Sequence, residues 1–146
     1  MKRLNISTCV NILIGILFGI ACIEAAGMML ISTGKGTIQD ILSSQPQYAL
    51  IMVSCGIYAI LGYILYWYRK KDDIGGMVIY LMCLSVCLLL LNNIICALFS
   101  IYILYQYYKK FNFKKHMRNH TIWIYGSHVV WISICVFYFF MKKSLM

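Results

Sequence analysis

Charge is scarce in this chain of 146 residues: Lys, Arg, Asp and Glu make up 12% of it, and only four of those side chains are acidic. Soluble domains carry about 25% charged residues, so an ordinary water-soluble fold is not expected. Nor is there a Ser-His-Asp constellation, a phosphate-binding loop or a pair of carboxylates, and without them no catalytic role and no cofactor are expected. The seven cysteines (Cys9, Cys22, Cys55, Cys83, Cys87, Cys96, Cys135) all fall in apolar segments and none in the polar loops. That distribution excludes the disulfide framework of a small secreted protein. Cys83 and Cys87 share a helical face, but no second pair completes a ligand set. His116 and His120 have ligand spacing without a nearby acid or thiol, so no metal is expected either. The net charge of +9 lies at ends and loops without a basic helix or aromatic module, which argues for anionic lipid headgroups and against nucleic acid.

What the chain has in abundance is apolar runs. Hydrophobic residues make up 62% of it. Lys2 and Arg3 precede a first run over about 8–31. It continues well past the small residues at Gly19-Ile20-Ala21-Cys22, so it reads as a retained span and not as a cleaved leader. A polar linker holding the single proline, Pro46, leads to a second run over 48–68, which ends in the aromatic group Tyr63, Tyr66, Trp67 and Tyr68, as expected at a membrane interface. After the charged turn Arg69-Lys70-Lys71-Asp72-Asp73, a third run follows, and a last one covers about 121–141 between a basic loop and Lys142-Lys143. The fold class expected is all-α, an integral multi-pass membrane bundle in a single domain.

The third run decides the topology. No charged side chain lies between Asp73 and Lys109, and as one helix the stretch would measure about 52 Å against a bilayer core of about 30 Å. Either a long third helix over 74–106 crosses once and projects beyond the membrane, for four spans in all, or the chain folds back at Asn92-Asn93 and makes five. Positive charge favours the cytoplasmic side in short loops. Five spans place ten Lys/Arg on one side and three on the other, whereas four spans divide them seven to six. Geometry weighs the other way: the half after Asn93 would span only about 24 Å, and Leu88–Leu91 offers no glycine or proline for a turn whose backbone groups must be satisfied inside lipid. Four spans is the preferred expectation, with the hairpin as the alternative.

Glu24 is the only acid inside any apolar run, and an ionisable group at depth marks a functional hypothesis by default. With four spans, Glu24, Asn92, Asn93 and His128 fall at similar depths and form one polar layer, which can serve as a hydrogen-bond cluster, a partner or ligand site, or an ion-handling site. Gly15-x-x-x-Gly19 on the first span, and Cys55, Ala59 and Gly62 on one face of the second, allow close helix approach. Packing within the chain is the first expectation for them and dimerisation the second.

Asn11 followed by Gly15 and Gly19 resembles the polar-then-glycine first span of the tetraspanins. Leu61-Gly62-Tyr63 ahead of Arg69-Lys70-Lys71 resembles the end of that family's second span, and Asn92 or Asn93 stands near its third-span polar position. The family's Cys-Cys-Gly signature and cysteine-stapled outer domain are absent, and Tyr66-Trp67 stands where its cysteines would. The chain is similar to CD20-like tetraspans to the same degree. The resemblance implies lateral association with other membrane proteins, so the expected role is an accessory subunit or tetraspan-type organiser. The alternative is a small transporter or channel-forming oligomer that uses Glu24.

Overall fold

The computed structural model describes residues 5–35, 39, 45–71, 74–110 and 122–145. Among them are five helices and no strand: α1 (Ile6–Lys35), α2 (Pro46–Lys70), α3 (Ile74–Leu90), α4 (Ile94–Lys110) and α5 (Ile122–Leu145). The basic loop with His116 and His120 lies outside the described residues. Pro46 opens α2, where its missing N–H costs nothing because the first helical donors lack intrahelical partners anyway. Arg69 and Lys70 close α2, favourably placed against the negative end of its dipole.

The expected long third helix over 74–106 is corrected: it is two helices, α3 and α4, joined at Leu91-Asn92-Asn93. Two adjacent asparagines divide the work. Asn92 takes the left-handed conformation, φ 59°. The Asn92 N–H donates to the Leu89 carbonyl at 3.0 Å, and the Asn93 N–H donates to the Leu88 carbonyl at 2.9 Å. This is the bonding of a Schellman stop, with Asn where Gly is usual. Asn93 then caps the next helix: its Oδ1 accepts from the Cys96 N–H at 3.2 Å, and its carbonyl accepts from the Ala97 N–H at 3.0 Å. The turn thus engages the Asn92, Asn93 and Cys96 N–H groups locally, which weakens the objection to a reversal without glycine or proline.

α3 and α4 pack back to back as an antiparallel pair. Ser85 donates to Ser100 across the pair at 3.1 Å, Ser100 donates to the Leu81 carbonyl at 3.3 Å, and the Tyr107 hydroxyl meets the Met77 sulfur at 3.1 Å. α1 and α2 make the most extensive helix pair, also antiparallel, with Arg69 on Ser7 at one end and Glu24 bonded to Ser54 towards the other. α3 sits between the pairs and contacts α2, α4 and α5. The core is a column of fully buried side chains, Leu13, Leu17, Leu61, Leu65, Leu84 and Leu88 among them.

Two helices, Ile6–Thr33 and Pro46–Lys70, are long and apolar enough to cross a membrane, while Gly75–Leu90 and Ile94–Lys109 are apolar but shorter. Large apolar side chains also cover the outside: Ile23, Leu30 and Ile95 are 74%, 74% and 82% exposed.

Candidate functional site

The site is built at the end of the bundle where α1 finishes, α2 begins and α3 turns into α4. Glu24 projects from α1 and accepts a hydrogen bond from the Ser54 hydroxyl of α2 at 2.8 Å. Ser54 is buried, and its hydroxyl also lies 2.9 Å from the Ile51 carbonyl of its own helix, so its one proton is shared between the two acceptors. One turn further along α2, the Tyr58 hydroxyl accepts from Asn93 Nδ2 at 3.4 Å, a long bond that ties the hairpin turn to the same region. Beside Glu24 lies a cavity of about 270 Å³ lined by Glu24, Gln47, Leu50, Ile51, Ser54, Tyr138 and Lys142. A smaller one of about 140 Å³ holds Asn92, Phe139, Lys142 and Lys143. Glu24, Asn92 and Asn93 therefore meet at one end, with Ser54, Tyr58, Tyr138 and Gln47 as partners that spacing alone did not single out.

His128 does not join them, which corrects the expected single polar layer. It lies on α5 ten residues before Tyr138, about 15 Å along the axis, at the opposite end of the bundle. There it is buried against Tyr68 and Tyr80, with ring centroids 6.3 Å and 5.5 Å away. Tyr80 is fully buried and donates to the Leu61 carbonyl at 2.7 Å. The reason is the hairpin. An added reversal between α3 and α4 inverts the direction of α5 relative to a four-helix chain, and a residue near the start of α5 moves from one end to the other.

The small residues divide in the same unexpected way. A Cβ on Gly62 would sit 3.4 Å from Leu17 Cβ and from the Phe18 ring, so the absent side chain lets α1 approach there. Nearby, the Cys55 thiol donates to the Ala21 carbonyl at 3.2 Å, and Ala59 packs partly buried against the core. Gly15 and Gly19 have no neighbouring atom within 4 Å of such a Cβ. The expectation that they pack within the chain is corrected: they face outward, beside exposed Ile12, Ile16 and Ile23. Spacing marks a helix face but carries no sign for inside or outside.

Cys83 and Cys87 lie with sulfurs 4.0 Å apart in the buried core, and the Cys83 thiol also points to the His128 carbonyl at 3.6 Å. All seven cysteines are free. Among the described residues no group of three or more His, Cys, Asp or Glu side chains is arranged to hold a metal ion. No family model, curated protein or solved structure matches this chain.

Proposed function

We propose that this protein is an integral membrane protein of five spans that acts by lateral association with a transmembrane helix of another protein, as an accessory or organising subunit. The hairpin together with charge supports five spans. With α4 folded back, Lys2, Arg3, Arg69, Lys70, Lys71 and the five basic residues from Lys109 to Arg118 share one side, against Lys35, Lys142 and Lys143 on the other. That asymmetry obeys the rule for short loops. Hydrocarbon is also the solvent in which exposed Ile23 and Ile95 cost nothing. The four-span count preferred on helix length and the lack of a glycine or proline turn is given up. The role implied by the tetraspan resemblance is kept.

The observation that carries association is the outward face of α1. Asn11, Gly15 and Gly19 stand at intervals of one turn, Asn11 and Gly15 are exposed, and both glycines face open space. Glycines at this spacing let a second backbone approach closely, and an amide facing lipid gains from a partner that satisfies it. The column of fully buried leucines between the two polar ends, among the described residues, supports association over transport. The test is photo-crosslinking in native membranes from a reactive side chain placed at Ile16. A discrete adduct, lost in Gly15→Leu/Gly19→Leu, is expected. An adduct unaffected by those substitutions, or none while a probe at Val86 on α3 gives one, contradicts the proposal.

A further inference from the structure

We propose that the cavity beside Glu24 binds the zwitterionic aminoethyl phosphate headgroup of a bilayer lipid, with the ammonium on Glu24 and the phosphate on Lys142. The inference rests on the membrane reading above but not on the α1 association face. Three helices build the cavity. Leu50, Ile51 and Ser54 of α2 form its floor, Glu24 of α1 one wall, and Tyr138 and Lys142 of α5 the other. α1 and α5 are not among the helix pairs that pack substantially together, so the space opens sideways between them.

Charge selects the occupant. A carboxylate has about four acceptor positions, and Ser54 fills one of them. Lys142 lines the same space and acts on Glu24 electrostatically, yet among the described residues no ion pair closes between them. Opposite charges held apart across a cavity are complementary to a ligand that carries both. The amine is primary and not quaternary on this reading. A primary ammonium offers N–H donors to Glu24 and to the Gln47 amide oxygen, whereas a quaternary one donates nothing and favours an aromatic cage. Among the described residues, Tyr138 is the single aromatic side chain in the lining. The volume, about 270 Å³, falls below the roughly 300–1,000 Å³ of drug-sized pockets, which suits a headgroup smaller than a drug. Depth agrees as well. Glu24 lies 18 residues beyond the start of α1, about 27 Å, near the far boundary of a core about 30 Å thick, where headgroups begin. Leu50 and Ile51 leave an apolar floor for the glycerol and first methylenes.

The test uses the full chain in nanodiscs formed from a phosphatidylcholine–phosphatidylethanolamine mixture, with the lipid retained after delipidating washes quantified by mass spectrometry. Preferential retention of phosphatidylethanolamine is expected. Glu24→Gln, which keeps the shape and the acceptor for Ser54, lowers the preference about tenfold, the size of one charge-assisted bond. Lys142→Ala lowers it too, while Lys143→Ala, outside the cavity, leaves it unchanged. Helicity by circular dichroism monitors folding, and if Glu24→Gln fails to fold, Lys142→Ala decides. Equal retention of the two lipids by the wild type overturns the proposal, as does a preference that survives Glu24→Gln or Lys142→Ala. Saturable binding of soluble glycerophosphoethanolamine without enrichment of the lipid overturns the bilayer source. Failure of the chain to enter nanodiscs at all is a different result, and strikes the membrane reading instead.

Discussion

Substitution of Asn92 separates a hairpin from a continuous helix by the sign of the effect. Asn92 occupies the left-handed region at φ 59°, which costs an ordinary L-residue roughly 1–2 kcal/mol and glycine almost nothing. Asn92→Val is therefore expected to destabilise the protein by about 1–2 kcal/mol, a factor of roughly 5–30 in the folding equilibrium. Asn92→Gly is expected to be neutral or slightly stabilising. Asn93 makes the companion test. Asn93→Ala removes the side-chain acceptor for the Cys96 N–H, a loss of about 1 kcal/mol for a typical N-cap. It removes little more through Tyr58, because that bond is long at 3.4 Å. In a continuous helix all of this reverses: alanine at either position would stabilise by up to about 0.7 kcal/mol, and glycine would destabilise, from intrinsic propensity alone. Reversible unfolding in mixed micelles, followed by far-UV circular dichroism as a denaturing detergent is titrated, reads the difference. Asn92→Gly as harmful as Asn92→Val, or Asn93→Ala more stable than wild type, refutes the turn geometry.

The same assay carries the other expectations. Tyr80→Phe deletes the second donor to the Leu61 carbonyl, which its own helix already engages, and should cost about 0.5–1.5 kcal/mol; a neutral result would mean that this bond adds nothing to the link between α2 and α3. Gly62→Leu must push α1 away, because a Cβ there already stands 3.4 Å from Leu17 and Phe18, and overpacking of this kind costs about 1–3 kcal/mol. Gly15→Leu and Gly19→Leu, facing open space, should leave stability of the single chain within about 0.5 kcal/mol while abolishing crosslinking from α1. Equal destabilisation by all three glycine substitutions would contradict the division between inward and outward glycines. Ser85→Ala and Ser100→Ala, each removing a polar link between α3 and α4, should cost about 0.6 kcal/mol apiece, as seen in the detergent midpoint.

Helix content and the course of the apolar segments were legible because charge marks their ends: Lys2-Arg3, Arg69 to Asp73 and Lys142-Lys143 leave little doubt about where helices start and stop. The turn at Asn92 was harder. Its signal is a backbone torsion, and an asparagine that stops a helix has the same letter as one that hydrogen-bonds within it. The count of basic residues favours the reversal and the absence of glycine and proline from Leu88–Leu91 opposes it, but asparagine reaches the left-handed conformation without either. Reading one helix there places His128 at the wrong end, because each reversal inverts every depth that follows it. Glu24 stood out as the lone acid of an apolar run. Ser54, Tyr58 and Tyr138 did not, because hydroxyls on apolar helices are common and only helix pairing says which ones face a carboxylate. Gly15 and Gly62 show the remaining limit: both belong to small-residue faces, and neighbours alone distinguish the packed one from the open one.

The most direct measurement is the sidedness of the two chain ends. Small epitope tags at Met1 and after Met146, probed by antibody in sealed and then permeabilised membrane vesicles, should become accessible from opposite faces, with the basic loop around Lys114 on the same side as the N-terminus. Both ends on one face would mean an even number of crossings, and would contradict the hairpin-based topology on which the Glu24 site and its depth depend.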